Sequence, residues 1–204
     1  MATLDHLVIA APTLEAGTQW VEAQTGLTLS PGGAHATMGT HNRLLSLGPD
    51  AYLEVIAVHP AAQAPDHPRW FALDDLGSAI RLQAWVVRCE DLAAALAGAP
   101  PGSGAAQPFA RGDLRWRMAV PEDGRLPFDN LFPALIEWQG AAHPAPRLPD
   151  AGCRLQRLQL THPRAQALRA ALAGLLDDPR IEVVAGPTPS LAADLATPAG
   201  PRRL

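Results

Sequence analysis

Apolar residues fall mostly in short runs with the length and alternation of β-strands, and helical spacing intervenes in only a few places. Leu4-Asp5-His6-Leu7-Val8-Ile9-Ala10 reads as a strand ended by Pro12, after which Thr13 offers an N-cap for a helix over roughly 14 to 25, closed near Gly26. Strand candidates follow near Leu27 to Leu29, at His41 to Leu47 and at Ala51 to Val58. The last two are joined by Gly48-Pro49-Asp50, a turn signal that favours an antiparallel hairpin.

This β-α-β-β-β order begins again after a connection rich in Pro and His. Leu82 to Val87 answers the first strand, and Glu90-Asp91-Leu92 opens an Ala-rich helix ending at Gly98. The loop Pro100 to Gly104 separates that helix from strands at Leu114 to Val120 and Ala134 to Gln139. Beyond a Pro-rich linker from His143 to Pro149, Arg154 to Thr161 alternates like a strand. Arg164 to Leu176 has helical spacing, Ile181 to Ala185 is a strand, and Pro189 to Thr197 offers one more. The expected division is a first module over 1–60, a second over 78–145 and a degenerate third unit over 150–204.

Two strands carry a carboxylate in an otherwise apolar run: Tyr52-Leu53-Glu54-Val55-Ile56 and Ala134-Leu135-Ile136-Glu137-Trp138. A carboxylate in a strand core is costly unless it is paired, hydrogen-bonded or bound to metal. Aligning Thr13-Leu14 with Asp91-Leu92 sets His6 opposite Ala84, and the last strands set Glu54 opposite Glu137. With period two, His6 shares a face with Val8, and Glu54 with Tyr52 and Ile56. One imidazole and two carboxylates on a concave face, His6, Glu54 and Glu137, form a candidate set for a divalent ion such as Zn, Mn, Fe or Ni. A solvated strand face or a guard against edge aggregation explains either glutamate taken alone.

Composition narrows the chemistry. All 16 basic residues are arginine, so Schiff-base lysine and P-loop lysine chemistry are excluded. A formal net charge of -4 without a basic run argues against nucleic acid, and the glycine pairs lack the context of a nucleotide loop, so no nucleotide cofactor is expected. No apolar stretch is long enough to span a membrane and no leader pattern opens the chain, so a cytoplasmic protein is expected. Cys89 and Cys153 fit no disulfide or metal motif. Four histidines precede proline and read as loop anchors.

Leu4 to Ala10, Gly39-Thr40-His41-Asn42-Arg43-Leu44-Leu45-Ser46-Leu47-Gly48, Tyr52 to Ile56, and Pro133 to Trp138 with His143-Pro144 beyond resemble the glyoxalase-like domain proteins of the vicinal oxygen chelate superfamily. The resemblance covers about residues 3 to 145 well and the final third loosely. It implies an α+β fold: paired βαβββ modules forming a curved, mostly antiparallel sheet with a cleft, here with a partial third βαββ unit. It also implies that His6, Glu54 and Glu137 are metal ligands, with Ala84 standing where a fourth would be. Glu137, lacking that partner, becomes the candidate general base. His41, Asn42 and Arg43, with Tyr52 and Trp138 on the cleft wall, are candidates to hold substrate. Two readings stay open: a divalent-metal-dependent lyase, isomerase or dioxygenase acting on a small molecule with vicinal oxygens, and a metal-free protein that binds or sequesters a small molecule. Pairing of the modules within one chain or across a homodimer is equally open.

Overall fold

The signals at the first helix operate as the residue types dictate. In the computed structural model, which describes residues 1–204, β1 (Thr3–Ala10) leads into α1 (Leu14–Thr25). Thr13 Oγ1 accepts the Ala16 N–H, and Gly26 closes the helix in the left-handed region at φ 71° with its N–H on the Glu22 carbonyl. The chain then forms β2 (Ser30–His35), β3 (Thr40–Ser46) and β4 (Tyr52–Val58). The second module repeats the order as β5 (Arg81–Arg88), α2 (Leu92–Ala97), β6 (Ala105–Arg111), β7 (Leu114–Val120) and β8 (Ala134–Trp138). Asp91 caps α2 by accepting the N–H groups of Ala93 and Ala94.

Both modules join one curled sheet of order β2-β3-β4-β1-β5-β8-β7-β6 within a single chain. Each first strand runs parallel to its module's last strand, β1 to β4 and β5 to β8, while β1 and β5 meet antiparallel at the centre. The register at this seam, His6 with Val86 and Val8 with Ala84, makes His6 and Ala84 equivalent. A bulge on β1 between Leu4 and His6 leaves Asp5 out of the alternation.

A third unit of β9 (Arg154–His162), α3 (Ala165–Ala173), β10 (Ile181–Ala185), β11 (Ser190–Thr197) and β12 (Gly200–Arg203) forms a four-stranded sheet of order β10-β9-β11-β12. It carries one strand beyond the expected βαββ. Its Leu155, Leu158, Leu160, Leu168 and Leu195 pack with Leu7, Leu53, Trp85 and Leu135 on the helix side of the large sheet. Val8, Ile56, Ala84, Val86 and Ile136 line the opposite, concave side, covered by Trp70, Phe71, Leu73 and Leu76. No helix is long and apolar enough to cross a membrane.

Two segments differ from expectation. The second strand lies at Ser30–His35 rather than Leu27–Leu29, because Gly32-Gly33 forms a bulge against β3, between the Pro31–Arg43 and Ala34–His41 pairs. Strand β6 falls between the Pro100–Gly104 loop and the strand at Leu114, in a stretch where the sequence pattern indicates no strand. Its Pro108 is tolerated because β6 is an edge strand, and its residues are mostly exposed.

Gly17 sets the distance between α1 and β4. A Cβ there would lie 2.6 Å from both Ala11 Cβ and Val55 Cγ1, so only a bare backbone lets the helix approach the strand that carries Glu54. Gly17→Val should destabilise the protein by about 1–3 kcal/mol through overpacking, read as a lower urea midpoint. An unchanged midpoint would mean that the helix is not held this closely.

Candidate functional site

The concave face opens into a small, closely packed cavity. One side is apolar: Trp70, Phe71, Trp116, Met118, Ile136 and Trp138. The other is polar: His6, His35, Asn42, Tyr52, Glu54 and Arg111. Phe71 and its neighbour Ala72 sit in the left-handed region at φ 59° and 52°, which costs non-glycine residues about 1–3 kcal/mol each. Gln83 Nε2 donates to the Phe71 carbonyl (2.8 Å) and the Ala72 N–H to the Gly124 carbonyl (2.8 Å), holding the strained turn in place.

His6 is oriented from behind. Its Nδ1 lies 2.6 Å from Asp5 Oδ1, and Asp5 Oδ2 accepts from Trp138 Nε1 and His143 Nε2, both at 2.9 Å. Burial pushes the Asp5 carboxyl up, but the hydrogen bonds and charge of His143 and His6 outweigh it and hold the group ionised, well below the usual carboxylate range. An ionised carboxylate only accepts, so Nδ1 of His6 donates to it, and the lone pair of the ring, where it is unprotonated, is on Nε2. The bulge at Asp5 makes this possible, since strict alternation would put Asp5 on the face opposite His6. Tyr52 stacks under the imidazole, centroids 4.5 Å apart, and burial with the charges of Asp5 and Glu54 raises its phenol well above the ordinary value, so it stays protonated.

Glu54 faces His6 across the cavity, Oε2 to Nε2 at 3.6 Å, and neither atom has a hydrogen-bond partner in the protein. The other oxygen of Glu54 accepts from Asn42 Nδ2 at 2.5 Å. The Asn42 amide orientation follows from its neighbours, because Oδ1 accepts the Gly33 N–H (2.8 Å) and Arg111 Nη1 (3.1 Å). His35 is kept neutral: burial, with the charge of Arg111 beside it, lowers it to about 3. Its Nε2 therefore accepts from Arg111 Nη1 (3.1 Å), leaving Nδ1–H to donate to Thr40 Oγ1 (3.0 Å).

The expected residues divide by strand parity. His6, Asn42, Tyr52, Glu54 and Trp138 meet in this cavity. Glu137 does not. Val8 pairs with Glu54 and Val86 with Ala134, so the position equivalent to Glu54 is Ala134, and Glu137 lies an odd number of residues on, facing the helix side. There its Oε2 accepts the Leu92 N–H at 2.8 Å at the start of α2, and Oε1 lies 3.5 Å from Arg117 Nη1. This corrects its assignment as metal ligand and general base. His41 and Arg43 likewise alternate away from Asn42 and do not line the cavity; the His41 ring sits 4.5 Å from that of His59.

With Glu137 absent, the three-ligand set expected from the sequence is not assembled. His6 Nε2 and Glu54 Oε2 remain as free donors, His35 Nε2 is occupied by Arg111, and no three His, Cys, Asp or Glu side chains gather as a metal-holding group. Two donors beside a guanidinium do not fit a resident divalent centre.

Sequence reasoning missed Asp5, His35 and Arg111. A signal for Asp5 was present in its adjacency to His6, since a carboxylate beside a functional imidazole commonly orients it.

Residues 4–176 match the profile of a family described as a glyoxalase-like domain. No curated protein matches the chain. Among solved structures, a hypothetical protein from Staphylococcus aureus superposes with a TM-score of 0.62 at 11% identity, covering 93% of this chain and 88% of that one. Methylmalonyl-CoA epimerase from Mycobacterium tuberculosis aligns at 22% identity over 68% of this chain and 88% of its own, with a TM-score of 0.43. A single-substitution variant of the Streptomyces coelicolor methylmalonyl-CoA epimerase, in complex with 2-nitronate-propionyl-CoA, aligns at 16% identity over 68% and 97%, with a TM-score of 0.44.

Proposed function

The chain belongs to the family of glyoxalase-like domain proteins, and from that membership we propose that it is a small-molecule enzyme whose reaction is proton transfer at His6. The supporting observation is the pair of partnerless atoms, His6 Nε2 and Glu54 Oε2, 3.6 Å apart in an aromatic-walled cavity and backed by Asp5.

In this reading the neutral imidazole takes a proton from a carbon next to a carbonyl or carboxyl group. The C–H bond breaks, the proton goes to Nε2, and the electron pair moves onto the adjacent oxygen as an enolate. The imidazolium so formed lies between two carboxylates, Asp5 on Nδ1 and Glu54 near Nε2, which lowers the free energy of the charged state and of the transition state leading to it. Return of the proton to the same or a neighbouring carbon completes an isomerisation. The Trp and Phe walls exclude water from the enolate. Because the donor set does not fit a divalent ion, no step passes through one.

The test is solvent-hydrogen exchange followed by NMR in D2O, with hydroxyacetone, glyceraldehyde and mandelate as probes, before and after exhaustive chelation. Exchange above the uncatalysed rate that survives chelation is expected. A protein that exchanges none of the probes, or that needs one equivalent of divalent ion retained through His6 and Glu54, sinks this reading.

A further inference from the structure

We infer that Arg111 is a carboxylate anchor, and that the substrate class of this cavity is a small carboxylic acid with an exchangeable hydrogen on the carbon next to its carboxylate. The inference rests on the proton-transfer reading for the placement of the reacting carbon, and on separate observations for the anchor.

Arg111 ends β6 of the second module yet reaches into the polar side of the cavity, whose other polar residues all come from the first. The reach is built into the backbone. At Gly33, in the β2 bulge, a Cβ would lie 2.8 Å from Arg111 Cδ, so the side chain crosses bare backbone that any other residue would obstruct. Once there, Nη1 donates to two neutral acceptors, His35 Nε2 and Asn42 Oδ1, both at 3.1 Å. Those contacts position the guanidinium without neutralising it, and no carboxylate lies within salt-bridge distance of it. Nε and Nη2 donate to nothing in the protein.

An oriented, uncompensated guanidinium with two unused donors is suited to a planar oxyanion taken in a fork. A single amide group, Asn42, spans the gap between Arg111 and Glu54, donating to one and accepting from the other. Glu54 in turn faces His6 at 3.6 Å, so a small molecule can reach both ends, with its carboxylate on Arg111 and its adjacent carbon near His6 Nε2. When the proton leaves that carbon, the electron pair moves onto the carboxyl oxygens that Arg111 holds, so the anchor also stabilises the enolate. The apolar wall of Trp70, Trp116 and Trp138 suits an aromatic or aliphatic substituent on that carbon.

Equilibrium binding of mandelate and of mandelamide to the full chain separates charge recognition from shape. The wild type should prefer mandelate by at least about 10-fold, Arg111→Met should remove the preference with little change for the amide, and Arg111→Lys should restore only part of it. Gly33→Ala, which deletes no charge, should also weaken mandelate binding by displacing the Arg111 stem. An unfolding midpoint for each variant identifies one that has merely failed to fold, and the two Arg111 variants and Gly33→Ala are independent in this respect. A wild type that does not discriminate, including one that binds neither probe at about 10 mM, overturns the inference, as does an Arg111→Met variant that keeps the preference. Proton exchange without carboxylate preference defeats the anchor and leaves the reaction standing; carboxylate preference without exchange does the reverse.

Discussion

Replacing His6 with alanine should lower the rate of substrate hydrogen exchange by about 10²- to 10⁴-fold, the range associated with loss of a positioned general base. The expectation follows from the tautomer. Asp5 accepts from Nδ1, so the free imidazole lone pair aimed into the cavity is Nε2 of His6, and no other imidazole can replace it. His35 is engaged by Arg111 and Thr40, and His143 by Asp5. Glu54→Gln should reach roughly the lower end of that range. The amide keeps the volume, but it removes a negative charge facing the imidazolium, and its N–H would bond the same Nε2 lone pair and compete with substrate. Because Arg111 is untouched, mandelate affinity should fall far less than the exchange rate in both variants. A His6→Ala protein exchanging within about threefold of wild type would show that the proton leaves by another route.

How far the sequence reveals this site depends on where strand alternation holds. The β1-α1 unit was legible because Thr13, Gly26 and the apolar runs act locally, and Glu54 could be placed with His6 because no irregularity lies between them in the β1–β4 register. The repeat of Leu-Glu and Ile-Glu invited an alignment of Glu54 with Glu137, but strand pairing sets Glu54 against Ala134, and a shift by an odd number of residues reverses the face. His41 and Arg43 fail for the same reason, as neighbours of the one β3 side chain, Asn42, that enters the cavity. What alternation could not supply came from its interruptions. The bulge at Asp5 brings a carboxylate onto its neighbouring imidazole, and the bulge at Gly32-Gly33 opens the path for Arg111. Arg111 was out of reach for a further reason: its strand, with Pro108 at its centre and few buried residues, lacks a strand's apolar pattern and is defined by pairing with β7.

Asp5→Asn should have the largest effect on stability, about 3–5 kcal/mol, and should also disable the site. Asp5 is fully buried and accepts from three donors on separate parts of the chain, His6 on β1, Trp138 on β8 and His143 beyond it. An asparagine offers one acceptor oxygen, and its amide N–H groups would face a donor left without a partner. The seam between the modules and the loop after β8 lose their common tie, while His6 loses the group that fixes its tautomer. The charge on Asp5 gives this prediction a second, independent readout. Its carboxyl is held below the value of an unfolded aspartate, about 3.9, so below that pH the unfolded chain binds a proton that the native protein resists. The stability contributed by this carboxylate is therefore complete above about pH 4 and is lost as pH falls toward the depressed native value. Urea midpoints at about pH 7 and pH 3 should fall further in the wild type than in Asp5→Asn, which has no proton to take up there. Equal falls in the two proteins would mean that Asp5 is not held ionised by His6 and His143, and the orientation of His6 would then need another source.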